Sequence, residues 1–252
     1  MNLGLTNFIL KTADDSFIVG HRNSEWTGFG PFMEEDIAFA SMAQDKIGHA
    51  WELYKLIPAP NDQQNYAEWL AFQRPVSDFK VAHLAALPNE GYDFSLIRHF
   101  LFDHAEYLRY EMLLSSSFEP LSHLAKKIKG ELKFHTMHAE TFLFQLANGS
   151  VESKARMQAA LNYTLPFALG LFETYEGEQE IINAGVFEGE EALKKKWIQR
   201  ITALINEAGL TLPDLNTIEP VFGGRNGYPS EHLAPLLAEM REVIALDPNA
   251  EW

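Results

Sequence analysis

The sequence predicts an all-α protein, a four-helix bundle with additional N- and C-terminal helices. Three observations carry that expectation. Apolar residues recur at helical spacing through long segments, Pro- and Gly-rich breaks separate those segments, and no alternating stretch is long enough to build a sheet.

Residues 3–26 place Leu5, Phe8, Ile9, Thr12, Val19 and Trp26 at roughly helical spacing until Gly28, Gly30 and Pro31 break the pattern. From Glu34 to Ile57 an almost all-round apolar helix opens on acidic residues, which suit a helix N-terminus, and closes at Pro58-Ala59-Pro60. A shorter helix is expected over 63–72, then a less regular stretch ending in Pro88-Asn89-Glu90-Gly91. Three long helices follow, over 94–114, 120–146 with Asn148-Gly149 as its stop, and 152–175. Two more cover 188–208 and 230–246, separated by the loop TLPDLNTIEPVFGGRNGYP. With no repeat or low-complexity tract, residues 1–252 read as one domain.

The 252 residues, 46% hydrophobic, suffice for a sizeable core. A net charge of −15 leaves no basic patch to neutralise phosphates, which argues against nucleic acid or an anionic membrane as partner. No cysteine is present, so disulfides, thiolate metal sites and thiol nucleophiles are excluded. Two aspartates interrupt MNLGLTNFILKTADDSF before a signal-peptide core can form, and no apolar run is of membrane-spanning length. A cytoplasmic protein is expected.

Bundles build metal sites from carboxylates and Glu-x-x-His pairs that project inward from four helices, because residues i and i+3 share a face. On the second helix Phe39, Met42, Ala43, Lys46, His49, Ala50 and Leu53 form one stripe, opposite a polar face with Glu34, Ser41, Asp45, Glu52 and Lys55. A lysine therefore stands on the apolar face, where Glu-x-x-His is expected. Helix one offers Glu25, the helix RHFLFDHAEYLRYEML offers Asp103, and the next offers Leu132 and His135, again at i, i+3. The order matches a carboxylate-bridged di-iron site that has lost both bridging glutamates, at Lys46 and Leu132. A glutamate-to-lysine change shifts the local charge by about that of one ferrous ion, so the ammonium can stand where a metal stood. The expectation is a buried cluster in which Lys46 pairs with Glu25 and Asp103 and a protonated histidine completes neutrality.

Other readings use the same residues. Lys46 can snorkel to solvent, and His49 or His135 can be a hydrogen-bonded core residue. Glu25, His49, Asp103 and His135 could hold one ion in a mononuclear oxidase, and an iron-storage bundle is a third reading. Glu131, His135 and His138 span about 10 Å along one helix, too far for a single ion, and His135 with His138 lacks an obvious partner on a second helix. Glu106, one turn beyond Asp103, is open between stray ligand and an acid facing another helix. FGGRNGY lacks the Gly-Lys-Ser/Thr ending of a phosphate loop and reads as a turn before a helix capped by Ser230.

The segments SEW, EEDIAFASMAQDKIGHA, LIRHFLFDHAE, GELKFH and GGRNGYPSEHLAPLLAEM, with a terminal tryptophan, together resemble the PaaC family of phenylacetyl-CoA oxygenase subunits, over nearly the whole chain. The resemblance implies a ferritin-like fold and a structural, non-catalytic role in aerobic phenylacetate breakdown. It implies a related PaaA-type catalytic subunit as heterodimer partner, whose di-iron site makes the ring epoxide of phenylacetyl-CoA. A reductase component would bring electrons from NADPH through flavin and iron–sulfur groups, and this chain would hold no cofactor. Carried over by position, Glu25, His49, Asp103 and His135 fall where the catalytic relative has ligands. Lys46 and Leu132 fall where its bridging glutamates stand.

Overall fold

Asn2 starts the first helix: its side-chain oxygen accepts the Leu5 amide at 2.9 Å, satisfying one of the free N–H groups of the first turn. The computed structural model describes residues 1–246, so Trp252 and the end of the expected single domain lie outside the described residues. Among these the helices are α1 (Leu3–Ser24), α2 (Met33–Tyr54), α3 (Tyr66–Phe72), α4 (His83–Ala86), α5 (Tyr92–Leu113) and α6 (Glu119–Ala147). They continue as α7 (Val151–Leu169), α8 (Glu178–Asn183), α9 (Glu190–Glu207), α10 (Leu233–Met240) and α11 (Glu242–Leu246), and the described residues form no strand.

The fold is a ferritin-like bundle of two helical hairpins, α1/α2 and α5/α6, with α7 and α9 packed on α5. α1 and α5 are central, and α5 buries every residue from Phe94 to Glu106. α2 and α6 keep a solvent face. Gly20 lets α1 approach α2 beside Lys46, since a Cβ there would lie 2.8 Å from Ile47. α1 is itself a member of the bundle. The additions are α3 and α4 between the hairpins and α7–α11 after them.

Other departures have local causes. The helix expected to reach Tyr175 ends at Leu169, where Pro166 lacks an amide and its carbonyl accepts Val221 N–H at 3.0 Å. The 230–246 segment breaks at Arg241, and its helix begins after His232 rather than after Ser230. α8 was not expected. The loop 223–227 is a strut: buried Arg225 donates to both Asp15 carboxylate oxygens at 2.8 and 2.5 Å, while Glu173 accepts the Gly223 and Arg225 amides.

Candidate functional site

Lys46 is fully buried, because the stripe that carries it turns toward α1 and α5. Its ammonium donates to Asp103 Oδ1 at 2.6 Å and to Glu106 Oε2. The other carboxylate oxygens are also occupied. Ser16 of α1 donates to Glu106 Oε1 at 2.8 Å, and His99 Nδ1 lies 2.9 Å from Asp103 Oδ2. His99 Nε2 is 2.7 Å from Oδ1 of Asn23 in the orientation drawn, an assignment that an amide flip exchanges with the nitrogen. With that amide turned to donate, a neutral His99 gives its Nδ1 proton to Asp103, and the otherwise partnerless Asn23 nitrogen is satisfied.

The electrostatics hold Lys46 and Asp103 ionised. Burial alone would lower the Lys46 pKa, but Asp103 and Glu106 reverse that and raise it above the ordinary lysine value. Burial would raise Asp103, but Lys46 and His99 hold its carboxyl well below the usual range. Lys46 also sits 4.9 Å from the centre of the Phe102 ring, a cation–π contact. The expected protonated histidine is not supplied by His49 or His99. Burial drives them down to about 3 and about 4, so both are neutral at pH 7.

Glu25 does not join Lys46. It lies at the C-cap of α1, at the surface, where it accepts from Arg22 at 2.6 Å and from Asn89 at 2.9 Å. The reason is axial position: α1 reaches the cluster at Ser16, which meets Glu106, and at Gly20, which lies beside Lys46, more than a turn before its end. Glu106 takes the place assigned to Glu25. The four-ligand set Glu25, His49, Asp103 and His135 therefore does not converge.

His49 Nε2 lies 2.7 Å from Glu131, and His135 Nε2 lies 3.0 Å from Asp45. Asp45, expected on the solvated face, is half-buried. His138, for which the sequence suggested no partner on a second helix, finds buried Glu35 of α2 at 3.0 Å, and Tyr92 donates to the same carboxylate at 2.6 Å. Three imidazole–carboxylate bridges thus tie α2 to α6. Leu132 is fully buried among apolar neighbours.

A carboxylate-bridged di-iron pair does not fit these residues. Of the two positions that the resemblance equates with bridging glutamates, Lys46 holds an ammonium with no lone pair and the other holds Leu132, while His49 and His135 aim their Nε2 atoms at Glu131 and Asp45. Among the described residues no group of three or more His, Asp or Glu side chains is placed to hold a metal ion.

Sequence reasoning missed further buried charges. Asp14 pairs with Arg74 at 2.5 Å, Asp15 with Arg225, and Glu190 with Lys11 and Arg109 at 2.8 and 2.9 Å. Available signals were Glu106 on the Asp103 face at i+3, and Lys11, Asp14 and Asp15 in a helix with no consistent polar side.

The sequence profile of a family described as "Phenylacetic acid catabolic protein" matches residues 2–252. One of the subunits of the 1,2-phenylacetyl-CoA epoxidase of Escherichia coli (strain K12), the one designated C, is 28% identical over 248 residues, which are 98% of this chain and 99% of that one.

Proposed function

Because this chain belongs to the phenylacetic acid catabolic protein family, we propose that it is a structural, non-catalytic subunit of a phenylacetyl-CoA 1,2-epoxidase in aerobic phenylacetate breakdown. The observation that carries the reading is the buried Lys46 ammonium between Asp103 and Glu106, in the part of the bundle where a di-iron protein needs bridging carboxylates. Full-length similarity to a protein named as a subunit of such an enzyme supports the same role.

In this reading the lysine does structurally what a metal would do. Its fixed charge offsets two core carboxylates and keeps α2 and α5 at a set spacing without bound metal, which leaves the bundle free to scaffold a homologous chain. The partner is a PaaA-type protein that carries the di-iron site, and the reductase supplies electrons from NADPH through flavin and iron–sulfur groups. This chain itself holds no cofactor, and the complex is cytoplasmic. Among the described residues no helix is long and apolar enough to cross a membrane.

Reconstitution tests the proposal. Phenylacetyl-CoA should be oxygenated by the di-iron subunit and reductase only when this chain is present, and this chain with reductase alone should give no product. Product formed by this chain without the di-iron subunit would overturn the reading.

A further inference from the structure

Lys11 and Lys46 are both fully buried, and their surroundings are opposite. Lys46 has two carboxylates for its one charge. The Lys11 ammonium reaches Glu190 Oε1 at 2.8 Å, but Arg109 of α5 holds the other oxygen of that carboxylate at 2.9 Å. Arg225, paired with Asp15, donates to the Lys11 carbonyl. Lys11, Arg109 and Arg225 thus place three buried cations beside two buried anions, Asp15 and Glu190.

Neighbouring charges are engaged elsewhere. Glu106, one turn before Arg109 on α5, accepts from Ser16 and Lys46, and Asp14 pairs with Arg74. Glu178 accepts the Glu190 amide at 2.7 Å, while Glu173 and Lys80 meet the backbone of Arg225. Burial raises the Tyr175 and Tyr110 hydroxyls, so both are uncharged. The surplus proton has one exit. Arginine keeps its charge, whereas a buried lysine sheds its proton readily. Burial, with Arg109 next to it, lowers Lys11 to about 7.

Lys11 also ends a docking stripe. On α1, Gly4, Asn7, Phe8 and Lys11 follow at steps of three and four, on one side of the helix. Each meets the segment 175–190, which leads through α8 into α9. The backbones at Gly4 and Gly177 approach so closely that neither has room for a Cβ. Asn7 donates to the Glu176 carbonyl at 2.9 Å, and the Phe8 ring lies 5.0 Å from that of Phe187. Lys11 adds the contact with Glu190, the one in this stripe whose charge changes with pH.

We infer that Lys11 is a proton-operated latch, which holds segment 175–190 on α1 more tightly as a neutral amine than as an ammonium. Undocking the segment returns Lys11 to water, where it regains the basicity of an ordinary lysine and binds a proton that the docked form holds poorly. Above pH 7 the undocked state therefore binds more protons, so docking strengthens as pH rises toward the ordinary lysine range and weakens as pH falls to neutral. The Lys46 cluster does not share this response, because Asp103 and Glu106 keep its proton in place.

Hydrogen exchange on the full chain tests the latch. With intrinsic amide rates divided out, protection across 175–190 should rise about 50-fold from pH 7 to pH 9, the linkage of one proton lost near neutrality. Lys11→Met removes the titrating amine and leaves Arg109 and Arg225 matched by Glu190 and Asp15, so it should fold and vary by less than about threefold over the same range. Titration of the Lys11 Cε resonance by NMR, assigned through its own backbone, reads the proton directly and needs no variant; its midpoint is expected near neutrality. A flat wild-type exchange profile, an equal rise in Lys11→Met, or a Lys11 that still carries its proton at pH 9.5 would each overturn the latch.

Discussion

Replacing Lys46 by methionine keeps most of the side-chain volume and removes one buried charge. It strips Asp103 and Glu106 of the cation they share, leaving two carboxylates almost without solvent contact on one face of α5. Breaking a buried pair in this way costs about 3 to 5 kcal/mol, and the two orphaned acceptors place Lys46→Met toward the upper end. For a chain of this size each kcal/mol moves the thermal midpoint by about 2 to 4 °C, so a fall of about 10 °C or more is expected. Proton linkage supplies a second signature. In the variant the two carboxylates can relieve their repulsion only by binding a proton, which raises a folded-state pKa above its unfolded value. A group raised in this way stabilises below that pKa and loses its contribution as pH rises, so the gap to wild type should narrow from pH 8 to pH 6. Thermal melts read by circular dichroism across that range test both. A midpoint within about 2 °C of wild type at pH 7, with no pH-dependent gap, would refute the ionised cluster.

Three further outcomes follow from other parts of the bundle. Burial pushes His49 down to about 3 and His99 and His104 to about 4, all below the unfolded value of 6.5. Their contribution is therefore complete above pH 6.5 and is lost as pH falls. At pH 5 each costs about 2 kcal/mol, or about 6 kcal/mol for the three, so urea melts should show steep destabilisation between pH 6.5 and 5, and a flat profile there would contradict it. Arg225→Met orphans buried Asp15 and should cost about 3 to 5 kcal/mol, with Arg225→Lys a poor substitute because it lacks the bidentate fork; hydrogen exchange should quicken first in 223–227, and unchanged protection there counts against the strut. Lys46→Glu with Leu132→Glu puts carboxylates at the two positions that the resemblance equates with bridging glutamates and, on the proposed reading, should give affinity for iron or manganese. A double variant that folds but takes up neither would count against reading Lys46 and Leu132 as the positions of a lost metal site.

The long helices were legible because their ends coincide with Pro, Gly or Asn breaks that act locally, as at Pro58 and at Asn148-Gly149. Lys46 was legible for a similar reason: one charged residue on an otherwise apolar stripe departs from a regular pattern. Its partners were not all readable. Asp103 stood out among aromatics, but choosing Glu106 over Glu25 depends on the level at which α1 crosses α2, set by the close approach at Gly20. Asp14 and Asp15 were read only as polar residues that interrupt an apolar run. Their actual partners, Arg74 and Arg225, lie far along the chain in segments whose docking no local pattern specifies.

The central proposal is that Lys46 occupies what would otherwise be a metal site. The direct measurement is the metal content of the untagged chain, purified alone after growth in iron-supplemented medium. Less than about a tenth of an ion per chain is predicted, since Asp103 and Glu106 already pair with the Lys46 ammonium, which has no lone pair to offer a metal. About one iron per chain, lost on Asp103→Ala, would contradict it.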